Sequence, residues 1–149
     1  MTNMDKLKEF KSKCTIIHHR QSGKTTENAA QALNVSKRQV IKSLLLKSSG
    51  DFFAAIIPGD RKLDIAKAKK HFGVSKISLA SPEEVKQLTG FGIGGVPPYA
   101  FYRKCKVVID TRLMDADYII GSGGNEFTGL KFRSESLLIL YNDKADVVQ

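Results

Sequence analysis

The sequence predicts a single α+β domain built on a mixed β-sheet, and three observations lead to this fold class. The chain has 149 residues, which is the usual length of one domain. Apolar residues make up 42% and charged residues 26% of it, as is typical of a globular protein. Helical and strand patterns follow each other without a strict βαβ alternation, which favours the α+β class. No linker or repeat interrupts residues 1–149, so we expect one domain.

The first half of the chain is expected to begin with a helix and to contain a β-hairpin. Thr25 or Thr26 can cap a helix that ends near Asn34. Two apolar runs on either side of the turn at 48–51 predict the hairpin. The elements expected here are a helix over residues 4–13, a strand over 14–19, the helix that ends at 34, a capped turn at 36–39, strands over 40–47 and 52–58, and a lysine-rich helix over 63–72.

A Ser-Pro-Glu-Glu sequence at residues 81–84 is the clearest helix start in the second half. Ser81 can cap this helix, Pro82 can occupy its first position and Glu84 can bond back to the cap. Gly90 is expected to end it. The other elements expected in this half are strands over residues 75–80, 107–110, 118–121 and 127–132, and a last helix over 134–141.

The net charge of +9 is distributed unevenly along the chain. Residues 1–76 contain 16 Lys and Arg against 6 Asp and Glu, whereas residues 77–149 contain 8 against 9. A basic surplus in one half indicates a surface that attracts a polyanion. The alternative is a solvated, lysine-rich surface that binds nothing, and charge alone does not name the partner.

The expected compartment follows from the N-terminus and the cysteines. The first residues alternate charged and apolar side chains, so we expect no signal peptide. The longest apolar runs, such as 52–58, are too short to span a bilayer. We therefore expect a soluble, cytoplasmic protein that does not act on membranes. Cys14 and Cys105 are expected to be reduced thiols without a nucleophilic role.

Two phosphate-binding motifs are incomplete in this sequence. Residues 22–25 (Ser-Gly-Lys-Thr) look like the end of a P-loop, but the required first glycine is replaced by His18. We expect a polar loop before a capped helix there, and a phosphate-binding enzyme using this loop remains a distant alternative. Residues 90–95 match G-x-G-x-x-G, yet they end a helix and run into two prolines. A dinucleotide-binding fold is therefore not expected.

The sequence offers no convincing metal site and no obvious catalytic base. His18 and His19 are adjacent on a predicted strand, so they point to opposite faces. Together with His71 and Cys14 they make no regular ligand set, and we expect neither a metal nor another cofactor. No Ser-His-Asp set or carboxylate pair stands out either.

Lys42 and two glycine-rich loops are the candidate site residues. Lys42 shares a strand face with Val40, Leu44 and Leu46, where an amine is costly unless it reaches a cavity or a partner. The alternative is a strand-end lysine that extends into water. The loops at 92–98 and 121–124 let backbone N–H groups approach a ligand, although tight turns would use the same glycines.

Taken in order, these features resemble one family. The lysine-bearing strand 40–44, the helix start at 80–84, the Leu-Thr-Gly at 88–90, the glycine-x-x-x-proline loop from Gly94 to Pro98, the strand end at 108–110 and the glycine turn at 121–124 are similar to segments of the YbaK-type deacylases. The editing domain inserted into bacterial prolyl-tRNA synthetases is related to them. The resemblance spans about residues 15–148, and its ordered set is more specific than any single motif.

The resemblance implies a partly barrel-like mixed sheet surrounded by helices, which forms one aminoacyl-tRNA editing domain. It implies hydrolysis of the ester that joins a wrong small amino acid to tRNA, with proline tRNA as the expected substrate and prolyl-tRNA synthetase as a partner. Water would be positioned by backbone groups and by a ribose hydroxyl of the substrate, without a metal. Lys42 would anchor the acceptor end or the ester, while Gly94 and Pro98 would shape the pocket.

The remaining implied contacts fall into two sets. The residues expected to contact the substrate are Gly95, Val96, Gly121, Ser122, Gly123 and Gly124. The turn at 121–124 would do so through its backbone N–H donors. The residues expected to hold tRNA phosphates are Arg61, Lys62, Lys67, Lys69 and Lys70.

This chain departs from the family in two places. Many relatives have serine where this chain has Pro97, so a stiffer loop and a different pocket shape are expected. Some synthetase-type members carry a histidine after the second glycine loop, where this chain has Asn-Glu-Phe-Thr at 125–128. The main alternative is a member that binds aminoacyl-tRNA or a synthetase without hydrolysis.

Overall fold

The computed structural model describes residues 3–149, with side chains from Asp5 onward. The elements follow the order α1 (Asn3–Ser12), β1 (Thr15–His18), α2 (Thr26–Leu33), β2 (Ile41–Ser48), β3 (Asp51–Pro58), α3 (Ile65–Phe72), β4 (Ser78–Leu79), α4 (Pro82–Thr89), β5 (Lys106–Asp110), β6 (Tyr118–Ser122), β7 (Thr128–Arg133) and β8 (Lys144–Ala145). Short 3₁₀ segments cover Lys37–Gln39, Thr111–Asp115 and Ser134–Ile139.

The strands form two sheets that meet at one point. A mixed sheet has the order β4-β2-β3-β5-β8, in which β3 pairs with β5 and β5 with β8 in parallel. An antiparallel sheet has the order β1-β7-β6. A parallel bridge between Val40 and Ile120 brings the start of β2 beside β6. The two sheets therefore curve around a shared interior, and the predicted α+β class with a mixed sheet is confirmed.

Strand β2 is buried on both faces, which explains its nearly continuous apolar run. Ile41 and Leu45 belong to the main core, together with Phe10 of α1 and Phe132 of β7. Leu46 points to a second cluster that lies under α3. Because side chains alternate along a strand, Lys42 extends from the same face of β2 as Leu46.

The helix boundaries follow the signals in the sequence. The Thr25 hydroxyl accepts a hydrogen bond from Asn28 N, and Asn34 ends α2 in the left-handed conformation. Ser81 and Glu84 form the expected capping box at the start of α4. Gly90 ends that helix with φ +81°. These local predictions are confirmed.

Two predicted elements differ in the structure, and one further strand was not predicted. β4 spans only Ser78–Leu79 instead of 75–80, because its pairing with β2 is limited to Leu46 and Lys47. Residues 134–139 form a 3₁₀ helix, in which Ser134 and Leu137 share a buried face three residues apart. β8 was not predicted, since two residues carry no readable period. Within residues 3–149, no helix is both long and apolar enough to cross a bilayer.

Candidate functional site

A cavity of about 260 Å³ opens where the two sheets separate. On the edge of β2 opposite β3, β4 pairs with Leu46 and Lys47, but no strand among the described residues pairs with Lys42 to Leu44 on that edge. The segments that line the cavity are the stretch before and within α2, the open edge of β2, the loop after α4 and the connection from β6 to β7. The candidate site thus lies between the two sheets, at the unpaired edge of β2.

The loop after α4 is held between two neighbours that also line the cavity. Gly94 has φ +86°, and a Cβ at this position would lie 2.5 Å from Lys24 Cγ. A Cβ at Gly95 would lie 3.0 Å from Asn125 Cα. Both glycines therefore allow close approach, which a side chain would prevent.

Pro98 joins this loop to the second glycine turn. A Cβ at Gly121 would lie 3.0 Å from Pro98 Cδ and 3.1 Å from Ile41 Cδ1. The Pro98 carbonyl accepts a hydrogen bond from the buried Tyr141 hydroxyl at 2.7 Å. The structure thus brings together the two loops that the sequence singled out, and Gly94, Val96, Gly121 and Ser122 line the cavity.

Two backbone N–H groups of the turn at 121–124 already donate hydrogen bonds within the protein. Gly123 N donates to Thr128 O at 2.7 Å, and Gly124 N donates to the Ser122 hydroxyl at 3.1 Å. These two N–H groups are therefore not open donors for a substrate, contrary to the expectation for this turn. Asn125 Oδ1 accepts from Phe127 N at 2.8 Å and so closes the turn at the position where some relatives carry histidine.

Lys42 lies along the open edge of β2 and lines the cavity. Its ammonium donates a hydrogen bond to the Arg61 carbonyl at 3.1 Å. Arg61 in turn donates from Nη1 to the Gln149 carbonyl at 3.1 Å. The amine thus has an acceptor in the segment after β3, and its role in binding substrate stays a prediction.

None of the five basic residues predicted to hold tRNA lines the cavity, although the Arg61 carbonyl contacts the cavity-lining Lys42. The Lys67 ammonium donates to Asp146 Oδ2 at 2.9 Å and to the Val148 carbonyl at 2.8 Å. In the described part of the chain, the ammonium groups of Lys62, Lys69 and Lys70 have no such acceptor. The geometry therefore divides the predicted patch into paired and unpaired cations.

Three ionisable residues at the cavity were not predicted as site residues: His19, Lys24 and Glu126. The Ser22 hydroxyl donates to Glu126 Oε2 at 2.5 Å, which ties the loop before α2 to the β6–β7 connection. His19 Nδ1 lies 2.6 Å from Gln21 O. Because a carbonyl only accepts, Nδ1 carries the proton in a neutral ring and Nε2 is left as an acceptor. The incomplete P-loop was the available signal for this segment.

The thiols and the acidic groups define no further reaction centre. Burial raises the pKa of Cys14 and of Cys105 to about 11, so neither thiol is ionised near neutrality. Both cysteines are free. Among residues 3–149, no group of three or more His, Cys, Asp and Glu side chains is arranged to hold a metal ion.

A concave, largely apolar cavity lined by glycines in an α+β domain is the usual form of a site for a small ligand. The family model described as aminoacyl-tRNA editing domain matches residues 20–134. The chain belongs to this family, and the resemblance seen in the sequence is confirmed.

Individual relatives agree with this assignment. The uncharacterized protein YwhH of Bacillus subtilis (strain 168) is 32% identical over 123 residues, which cover 82% of this chain and 78% of that protein. The multifunctional Ser/Thr-tRNA deacylase ProXp-y of Escherichia coli (strain K12) is 33% identical over 104 residues, or 67% of this chain and 62% of that protein. A proline–tRNA ligase of Nitratidesulfovibrio vulgaris (strain DP4) is 35% identical over 99 residues. That match covers 66% of this chain but only 17% of the ligase.

Solved structures share the complete fold. The crystal structure of the hypothetical protein APE2540 has a TM-score of 0.87 and 29% identity, with 99% of this chain and 100% of that chain covered. A second crystal structure, described as a proposed trans-editing enzyme for prolyl tRNA synthetase, has a TM-score of 0.84 and 26% identity. It covers 100% of this chain and 98% of that chain.

Proposed function

We propose that this chain is a trans-editing hydrolase that removes a wrong small amino acid from tRNA, with proline tRNA as its main substrate. The observation that carries the proposal is the cavity at which Lys42, Gly94 and Gly121 come together. Membership of the editing family supports the reaction class. The name of the E. coli relative, Ser/Thr-tRNA deacylase, supports a small amino acid as the group removed. The proline–tRNA ligase relatives support proline tRNA as its carrier.

The size and lining of the cavity favour a small aminoacyl group. Its volume of about 260 Å³ is below the range of roughly 300–1,000 Å³ that accommodates drug-sized ligands. Apolar side chains such as Ile41, Val85 and Val96 form much of its wall. The aminoacyl group would therefore enter the cavity, while the nucleotide to which it is attached would remain at the mouth.

The proposed reaction adds water across the ester bond. The carbonyl–oxygen bond breaks, and the products are a free amino acid and the 3′-terminal hydroxyl of the tRNA. Lys42 would exchange the Arg61 carbonyl for the substrate, which places positive charge beside the reacting ester. Gly94 and Pro98 would shape the pocket, and Gly95, Val96 and the turn at 121–124 would contact the aminoacyl group.

The proton that leaves the attacking water needs an acceptor. The departing ribose oxygen takes this proton in the proposal, while the neighbouring ribose hydroxyl of the substrate positions the water, as the family resemblance implies; no metal is required. His19 Nε2 and the Glu126 carboxylate are side-chain acceptors at the same cavity. A variant with both His19 and Glu126 substituted tests whether these side chains take the proton. It should lose activity if they do and keep it if the substrate alone assists hydrolysis.

A deacylation panel tests the proposal. Purified protein is incubated with proline tRNA charged separately with cysteine, alanine, serine, threonine and proline, and the remaining ester is measured over time. We expect rapid loss of at least one wrong amino acid and stability of the cognate prolyl ester. Binding of these tRNAs without hydrolysis would favour the non-catalytic alternative. Addition of prolyl-tRNA synthetase to the same reactions tests whether it is a partner.

A further inference from the structure

Lys24 lies at the rim of the cavity, in the segment that the sequence matched only partly to a P-loop. We infer that Lys24 binds the phosphate of the 3′-terminal nucleotide when the aminoacyl group occupies the cavity. This inference rests on the proposed function, because it assumes that the ligand is the acceptor end of an RNA. It gives the proposed site a second cation beside Lys42, with phosphate as its ligand.

The first observation is how the Lys24 side chain is held. Its Cγ lies 2.5 Å from the position that a Cβ of Gly94 would take, so the aliphatic stem packs against the backbone of Gly94. Lys24 nevertheless remains exposed. A stem fixed by packing with an exposed ammonium presents its charge at a defined place at the cavity mouth.

The second observation is that the Lys24 ammonium has no partner. Among the described residues, Lys24 and Lys42 are the lysines that line the cavity. Lys42 donates to the Arg61 carbonyl, whereas Lys24 Nζ has no acceptor within hydrogen-bonding distance in residues 3–149. Lys37, by contrast, is paired with Glu27 at 3.0 Å. Lys24 is thus the cation of the cavity that is available to an anionic ligand.

The chemistry of the substrate places a phosphate close to the cavity. The ester and the 5′ phosphate of the terminal nucleotide are attached to the same ribose, so an aminoacyl group in the cavity places a phosphate just outside it. A lysine ammonium binds phosphate as a point charge and tolerates variation in the phosphate orientation. The rim position of Lys24 matches this requirement without a complete P-loop.

The absence of a side chain at Gly94 leaves room for the Lys24 stem. A Cβ at residue 94 would lie 2.5 Å from Lys24 Cγ and 3.2 Å from the Lys24 backbone oxygen, so it would displace the Lys24 stem. Gly94→Ala is therefore expected to weaken phosphate binding through Lys24 as well as to strain a residue with φ +86°.

Binding of an uncharged RNA stem that ends in a single-stranded CCA tests the inference without any hydrolysis. Lys24→Gln is expected to weaken binding about tenfold, the effect of one charge-assisted hydrogen bond. The log–log dependence of affinity on salt should flatten by about 0.7. Lys24→Arg should retain both values. The matched control is Lys144→Gln, an exposed lysine in β8 at the edge of the mixed sheet far from β2. Equal behaviour of Lys24→Gln and Lys144→Gln would overturn the inference.

Kinetics separate the inference from the proposed function. With charged tRNA, Lys24→Gln should raise KM about tenfold and leave kcat nearly unchanged, as expected for the loss of uniform binding. With an aminoacyl-adenosine that lacks phosphate, the variant should match the unmodified protein. Equal slowing on both substrates would contradict a phosphate contact. Failure of the unmodified protein on both substrates would contradict the proposed hydrolase, while the RNA affinities would still decide the role of Lys24.

A double-mutant cycle tests the link to Gly94. Gly94→Ala should weaken RNA binding more in the native background than in a Lys24→Ala background, because the second background has no stem to displace. Additive effects of the two substitutions on RNA affinity would contradict the proposed coupling.

Discussion

Lys42 Nζ donates a hydrogen bond to the backbone carbonyl of Arg61, which lies 3.1 Å away in the segment after β3. That segment is itself fixed, because Gly59 N donates to Val40 O at 2.7 Å and Arg61 Nη1 donates to Gln149 O. The amine therefore has a defined resting position at the open edge of β2. A substrate that takes over this amine has to compete with one neutral carbonyl only.

Lys42→Ala is expected to reduce deacylation by about 10²–10³-fold, because the variant has no positive charge beside the reacting ester. The fold should remain, since the amine bonds an exposed carbonyl, and unfolding free energy should change by less than about 1 kcal/mol. The measurements are kcat/KM on a charged tRNA and thermal unfolding. Lys47→Ala is the matched control, because Lys47 lies on the same strand but pairs with Glu84. Nearly full activity in a folded Lys42→Ala variant would remove this residue from the mechanism, and an unfolded variant would assign it a structural role.

Gly59→Ala is expected to destabilise the protein by about 1–3 kcal/mol, because the new methyl group would overlap with its neighbours. Two of these are backbone oxygens, of Val40 and Lys37, which cannot rotate away. Denaturant unfolding measures the change. Gly92→Ala is the control, because no atom lies within 4 Å of a Cβ at that position. Equal stability of the two variants would show that the overlap at residue 59 relaxes at little cost.

The parts of the structure that the sequence predicted well are those determined locally. Asn34, Ser81 and Gly90 act on the backbone within one helical turn, so their effect can be read from neighbouring residues. The cavity depends instead on contacts across the chain. The pairing of Ser22 with Glu126 joins residues 104 positions apart, and no local pattern indicates it.

Contacts between distant residues are also what the sequence did not show at the site. A strand pattern indicates the face on which Lys42 lies, but not that the Arg61 carbonyl is within reach. The glycines at 121–124 predicted a turn correctly, yet whether their N–H groups are free depends on Thr128, in the next strand. Lys24 carries no signal of its own once the P-loop is excluded, because its packing against Gly94 arises only in the folded chain.

Removal of divalent metals is expected to leave deacylation unchanged, because the reaction proposed uses charge and hydroxyl groups only. The test is activity after exhaustive dialysis against a chelator, compared with the same sample after zinc is added back. Loss of activity that zinc restores would contradict a metal-independent reaction. In that case Cys14, His18 and His19 would have to be reconsidered as ligands.

The thiols of Cys14 and Cys105 should react slowly with iodoacetamide in the native protein. Burial raises the pKa of each to about 11, and only the thiolate reacts. The rate should keep rising up to about pH 11, whereas in urea it should level off above the free-cysteine pKa of about 8.5. Because the folded pKa is raised, these thiols favour the folded state below the unfolded pKa, and this contribution disappears as pH rises towards 11. Native rates equal to those in urea would show that the thiols are not shielded.

Reversal of the unpaired charges on and just before α3 tests whether the basic half of the chain binds tRNA. Lys62, Lys69 and Lys70 have no acceptor in the described residues, so Lys→Glu changes at these positions should reduce tRNA affinity. They should also flatten its salt dependence by about 0.7 for each single-strand phosphate that is no longer bound. Hydrolysis of a phosphate-free aminoacyl-adenosine should hardly change, because that substrate does not extend to α3. Lys67→Glu is the contrasting variant. It breaks the pair with Asp146, whose pKa is held at about 2 by Arg112 and Lys67, and so it should lower stability more than tRNA affinity. If reversal of the three unpaired lysines leaves tRNA binding unchanged, the basic surplus of residues 1–76 is only a solvated surface.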